Sequence, residues 1–291
     1  MRNGCIWKYL AAPALIIGLA QAQVTVQLRL GKTSFLAGEP VPVEVTVTNL
    51  SGQELAFQGN TRTSWIDFMV SSGRGVPMSS IAAPAFGAVR IPSGKALVRT
   101  IDLSQIYALT ELGNHSVYAI VRLPNQGNGG FQSNRHLFTV NSALPYWTQA
   151  VGVPGRPGRQ NEFRLIKFNS DRKTQLYAQL ADARTGRILR THHLGELLAI
   201  RDPAVSVDSS LTMHVLFMIN PKFWGHARIA PDGRFLGRDL YQPGPTSDPM
   251  LAKMTDGSIK PIGGVFYDPK AAAEQARRNR RASDRPDISG D

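Results

Sequence analysis

From Val24 onward the chain alternates apolar and polar side chains. Val24, Val26, Leu28 and Leu30 fall on one side of an extended segment, and Thr25, Gln27 and Arg29 on the other. A period of two residues marks a strand with one buried face. Val43–Thr48 repeats the pattern with β-branched residues, entered through Pro40-Val41-Pro42 and closed by the turn Asn49-Leu50-Ser51-Gly52. Further strands are predicted at Glu54–Phe57, Trp65–Val70, Ala96–Ile101, Val117–Val121 and Leu137–Val140. About seven short antiparallel strands in this span are what a β-sandwich needs, and residues 23–144 are assigned to one domain of that kind.

A second run of alternation follows a Gly/Pro/Arg-rich stretch, Gly152–Arg159, which reads as a boundary segment. Strands are predicted at Phe163–Phe168, Thr174–Leu180, Arg187–His192, Val205–Val207, Met213–Met218, Trp224–Ile229, Arg234–Leu240, Met250–Met254 and Ser258–Ile262. Thr185-Gly186, Asp232-Gly233 and Asp256-Gly257 sit between them as tight hairpin turns, since glycine accepts the positive φ such turns require.

Two resemblances refine this all-β reading. Phe35-Leu36-Ala37-Gly38-Glu39-Pro40-Val41 with Val43–Asn49, and later Ile101–Leu109 with Gly113–Tyr118, resemble bacterial Ig-like domains, including those joined to secreted peptidases and proteinase inhibitors. The resemblance implies an Ig-like antiparallel sandwich over residues 24–141. His115 stands where such domains commonly carry a corner-tying Tyr. Pro203–Asp208, His214–Phe217 and Trp224–Arg234 together resemble one blade of the β-propeller repeats of sialidase-like proteins, with 162–200 a looser copy and Pro249–Asp268 a partial one. A closed propeller needs four to eight blades, so this resemblance implies an open propeller-like β-meander over residues 145–268. Its free edges then need cover from the Ig-like domain, the tail or another copy. The resemblance stops at blade patterning, and no catalytic residue transfers by position.

Location follows from the N-terminus. Met1, Arg2 and Lys8 precede an apolar run from Tyr9 to Leu19, and Ala20-Gln21-Ala22 supplies a small-x-small cleavage site, the pattern of a secretory signal peptide over residues 1–22. Cleavage near Ala22 would deliver a periplasmic or secreted protein. Cys5, the one cysteine, leaves with that segment, and it precedes the apolar run, so no lipoprotein is expected. No later stretch has the length of a membrane span. Residues 269–291 are read as a basic tail, short-helical or disordered.

Charge then points to a partner. The chain has 33 Lys+Arg against 21 Asp+Glu, but residues 23–145 carry only 9 basic and 6 acidic groups. Arg156, Arg159, Arg164, Lys167, Arg172, Lys173, Arg184, Arg187 and Arg190 crowd one stretch, with only 3 acidic residues among them. On alternating strands several of them share a face, which suits an envelope protein or an anionic glycan or polymer. The competing reading is a solvated face that discourages edge pairing. Export and the missing nucleic-acid-binding signatures argue against nucleic acid.

Catalytic chemistry finds little support. His192, His193, His214 and His226 lie in the second half, with His214 and His226 facing each other across Pro221-Lys222, but no zinc spacing such as HExxH occurs. Asp182, Asp208, Asp232, Asp239 and Asp256 recur near turns, where an aspartate bonds its own backbone. Nucleophile elbow, P-loop and dinucleotide fingerprints are absent. No catalytic residue, metal or cofactor is assigned. The expectation is an exported, non-catalytic binding, scaffold or adhesion module, which could self-associate through open sheet edges. Two alternatives stand beside it: a glycan-active enzyme or its accessory domain, favoured if Trp147 and Trp224 are exposed, and a proteinase inhibitor acting through Ig-like loops.

Overall fold

A computed structural model describes residues 24–59, 64–83, 86–123, 130–170 and 173–283, so the segment read from sequence as a signal peptide, Arg172 and the end of the basic tail lie outside the described residues. In chain order the first half carries β1 (Val24–Leu30), β2 (Ser34–Leu36), β3 (Pro42–Asn49), β4 (Leu55–Phe57), β5 (Ile66–Ser72), β6 (Val89–Ile91), β7 (Ala96–Asp102), β8 (Gly113–Val121), β9 (Phe131–Gln132) and β10 (His136–Asn141). The second half carries β11 (Trp147–Gly152), β12 (Gln160–Ser170), β13 (Lys173–Asp182), β14 (Ile188–Glu196), β15 (Ala204–Val207), β16 (Met213–Asn220), β17 (Phe223–Ile229), β18 (Phe235–Pro243), β19 (Met250–Lys253), β20 (Ile259–Ile262) and β21 (Gly264–Tyr267). Helix α1 (Pro269–Ser283) follows, its start fixed by the Asp268 carboxylate accepting the Lys270 N–H at 2.8 Å and by proline in the first turn. The chain is all-β apart from α1 and one short 3-10 turn, with small sheets in a propeller-like arrangement. Among the described residues no helix is long and apolar enough to cross a membrane.

Two sheets of the first half, β1-β3-β7 and β2-β10-β8-β5, enclose one core. The two-residue period does the work. Val26, Leu28, Val43, Val45 and Val47 project from one sheet onto Phe35, Ile66, Phe68, Val117, Ala119 and Phe138 of the other. The outer edge of β1 is closed by a side chain: the Asn134 amide accepts from Leu28 N at 2.9 Å and donates to Leu28 O at 3.0 Å, standing in for a neighbouring strand. His115 ties β8 to the turn before it. Its buried ring stacks on Phe138 and donates from Nε2 to the Glu111 carbonyl at 3.0 Å.

In the second half the meander β11-β12-β13-β14 and the sheet β15-β16-β17-β18-β21 also share a core. Phe163, Leu165, Leu176, Ala178 and Leu180 of the first meet Met213, Val215, Phe217, Ala227 and Ile229 of the second. Gly152–Arg159, read from sequence as a boundary segment, is the turn of the β11–β12 hairpin, paired from Trp147↔Leu165 to Gly152↔Gln160. Gly155 and Gly158 supply its positive φ angles of 70° and 76°. The three turn glycines anticipated from sequence, Gly186, Gly233 and Gly257, have φ of 69°, 84° and 80°.

The segment after β2 joins the halves. Leu36 leaves the first core and packs with Ile166 and Tyr177 of the second half; burying a side chain of this size contributes roughly 1.5–3 kcal/mol. One residue on, the Ala37 carbonyl accepts the Thr191 hydroxyl at 2.7 Å, and the Gly38 carbonyl accepts the Thr191 N–H at 3.1 Å. That last bond gives the outer edge of β14 a partner from the first half. Gly38 is required twice over: its φ is +76°, and a Cβ there would lie 2.6 Å from Ile188 Cγ2. Gly38→Ala is expected to destabilise the protein by about 2 kcal/mol, from the left-handed backbone alone and before the clash is counted. Chemical denaturation measures this; an unchanged midpoint would show that the contact is not stabilising.

Candidate functional site

Of the nine basic residues singled out in the sequence, the eight that are described do not form one face. Arg164 is bound to Glu162 at 2.5 Å, Lys167 to Asp202 at 2.5 Å and Lys173 to Glu196 at 2.7 Å. Arg156 and Arg159, from the β11–β12 turn, meet Arg184 and Arg187, from the β13–β14 turn, at one end of the meander. All four are exposed, and among the described residues none is in an ion pair. They border two hollows of about 240 and 160 Å³ with Asp182 between them. Asp182 sets one negative charge among these four positive ones. Its Oδ1 accepts the Arg184 and Thr185 N–H groups and the Thr185 hydroxyl, and these bonds hold its carboxyl below the usual range. Arg190 lies further along β14.

A larger cavity of about 560 Å³ opens between the two halves. Its floor is built by the joining segment: Lys32 Nζ donates to Glu39 Oε1 at 2.5 Å and to Tyr177 Oη at 3.1 Å, and lies 4.7 Å from the Phe35 ring centre. Glu39 Oε2 accepts the Leu36 N–H at 2.9 Å, so both oxygens of this buried carboxylate are engaged. Burial pushes the Glu39 carboxyl up, against the opposing pull of Lys32 and that N–H. Gln175 Oε1 accepts from His193 Nε2 at 2.7 Å, and the Gly233 carbonyl accepts from His192 Nε2 at 2.7 Å. Those bonds leave each imidazole one acceptor nitrogen. Desolvation, then the Lys32 and Arg238 charges, hold His193 below its ordinary value. The histidines face opposite sides of β14, and the cavity reaches both across that edge strand. Phe235, 42% exposed, lies against His192 at the mouth with ring centres 5.6 Å apart.

A third polar group is sealed beneath the β19–β20 hairpin side of the five-stranded sheet. His214 Nε2 lies 3.1 Å from Asp208 Oδ2, and His214 Nδ1 lies 3.0 Å from His226 Nε2. A carboxylate only accepts, so His214 donates from Nε2 and His226 donates onward to His214. His226 Nδ1 then remains a buried acceptor without a partner among the described residues. The observed register pairs His226 with Leu216 and Asp239, so the two imidazoles meet on a diagonal and not directly opposite. Asp208 also holds its own turn, accepting from Ser210 and Thr212 N–H groups. Asp232 and Asp256 likewise cap turns, whereas Asp239 pairs with Arg228 at 3.0 Å. Among the described residues no three His, Cys, Asp or Glu side chains are arranged to hold a metal ion.

The tryptophans proposed as exposed platforms are not exposed. Trp147 is half-buried against the second core, and Trp224 is buried with Leu216 and Met218. Phe235 is the aromatic at the cavity mouth, and sequence reasoning missed it. The Lys32–Tyr177 contact was equally hidden, since those residues lie 145 positions apart.

No protein-family model and no curated protein matches this chain. Among solved structures it is similar to the sporulation control protein Spo0M of Bacillus subtilis, at 10% identity and a TM-score of 0.30, over 90% of this chain and 97% of that one.

The buried histidine pair gives a pH dependence with a definite sign. Burial, then the neighbouring His214 and Arg228, push His226 down to about 4 from 6.5. Its contribution is fully present above the unfolded value and is lost as the pH falls toward the folded one, roughly 3 kcal/mol in all. Thermal melts between pH 7 and 4 are expected to show this loss, and His226→Gln to flatten it; parallel curves for the two proteins would rule out His226 as the origin.

Proposed function

We propose that the protein is an exported, non-catalytic binding module of the cell envelope that takes an anionic glycan at its arginine-bearing end. The observation that carries this reading is the convergence of Arg156, Arg159, Arg184 and Arg187 from two neighbouring turns, around an aspartate whose carboxylate is already held by its own turn. Guanidinium groups are planar forks that match carboxylate and phosphate oxygens, and four within one surface raise the local concentration of a polyanion. Their position at the end of a hairpin meander, away from the paired Lys167 and Lys173, supports ligand attraction over edge protection.

The same reading takes residues 24–141 as an Ig-like sandwich and the two packed meanders as blades of an open propeller. The shared core between β1-β3-β7 and β2-β10-β8-β5 supports the first, and the face-to-face packing of consecutive antiparallel sheets supports the second. Export rests on the basic, apolar and small-residue pattern of residues 1–22.

Replacing all four arginines with glutamine is expected to weaken binding to polygalacturonate at low salt by tenfold or more. Native binding should fall steeply with added salt, since exposed charges are screened. Equal binding by both proteins would remove the arginine end from the account.

A further inference from the structure

The hollows along β14 are neighbours that share lining residues. The inter-half cavity shares Pro40 and His192 with a hollow of about 170 Å³ beside Gly38, Leu189 and Arg190. That hollow shares Leu189 with the next, which includes Arg156, Arg159 and Arg187. The hollows therefore succeed one another from Phe235 and His192 toward Arg156, Arg159 and Arg187, on either side of the Thr191–Gly38 bond. From Arg187 to His193 an extended strand covers roughly 20 Å, room for several sugar rings.

The two ends differ in chemistry. At the arginine end charge dominates. In the cavity the Lys32 charge is balanced by Glu39 at 2.5 Å, so little net charge faces a ligand. What the cavity offers is ring surface from Phe235, His192 and His193, and hydrogen-bonding capacity beyond its internal bonds. Lys32 uses two of its three N–H groups on Glu39 and Tyr177, Gln175 engages its carbonyl oxygen with His193, and each histidine keeps one acceptor nitrogen. Apolar faces edged by alternating donors and acceptors suit a pyranose, whose C–H face stacks on an aromatic ring while its hydroxyls bond at the rim. At about 560 Å³ the cavity falls within the span of ordinary ligand pockets.

We propose that the bound polymer is a carboxylate-bearing polysaccharide laid along β14, with its carboxylates on the arginines and a sugar ring seated in the cavity against Phe235. This rests on the reading of the arginine end, which supplies most of the attraction, and adds a selection for sugar over other polyanions.

Calorimetric titration of the mature chain with hexagalacturonate and with hexaglutamate, matched in charge, separates the two ideas. The expected result is at least tenfold tighter binding of hexagalacturonate. Phe235→Ala, at an exposed position, should abolish that preference while leaving the hexaglutamate affinity and the thermal midpoint unchanged. Equal affinity for the two ligands, or a preference that survives Phe235→Ala, would overturn the cavity proposal and leave the arginine reading standing. Binding of neither ligand would sink both.

Discussion

The buried turn from Leu36 to Glu39 is the constraint on which the rest of the molecule depends. Within four residues the chain leaves one core, enters a small second one, passes beneath Ile188 and returns a carboxylate to the floor of a cavity. Each step uses a different physical term. Leu36 contributes apolar burial, the Ala37 and Gly38 carbonyls supply hydrogen bonds to Thr191, and glycine permits a close approach that any side chain would prevent. Glu39 costs desolvation, offset by Lys32 and the Leu36 N–H. A buried carboxylate with both oxygens bonded is a specific device, and here its consequence is to fix Lys32 and Tyr177 across the two halves.

That arrangement explains why the cavity and the arginine end differ. Where the halves meet, charges neutralise one another internally and aromatic rings make the walls. At the far end of β14, past the contact of Ile188 with Gly38 and the first core, the turn arginines stay exposed. Strand β14 connects the two environments, its outer edge taken up at Thr191 by Gly38 and otherwise lined by hollows. The Asp208–His214–His226 chain belongs to neither. It is enclosed by Leu216, Trp224 and Tyr241, and its expected consequence is sensitivity to acid.

Much of the fold was legible because its strands have one buried face. Val24 to Leu30 and Val43 to Thr48 alternate cleanly, and their inward residues are the ones in the core. β16 is different: Met213 to Met218 are buried on both faces, so its apolar run carried no alternation and its partners had to be inferred from turns. β11 escaped notice because Thr148, Gln149 and Ala150 are exposed on an edge strand. At the site, composition located the basic stretch but not its division. Lys167 and Lys173 meet acidic partners from sequence-distant or cross-strand positions, which no local pattern reveals, whereas Arg164 pairs with Glu162 two residues back on the same strand. The cavity depends on the contacts of Lys32 with Tyr177 and of Phe235 with His192, each set by tertiary packing.

The claim that the Leu36–Glu39 turn makes the two halves one body is tested most directly by native-state hydrogen exchange at the amides of Leu36 and Thr191. Leu36 donates to Glu39 within the turn, and Thr191 donates across the junction to Gly38. If the junction is part of the cooperative structure, they exchange only with the slow core amides of β3 and β12. Exchange at the rate of the exposed turns, while those cores stay protected, would show the halves opening independently and would contradict the account.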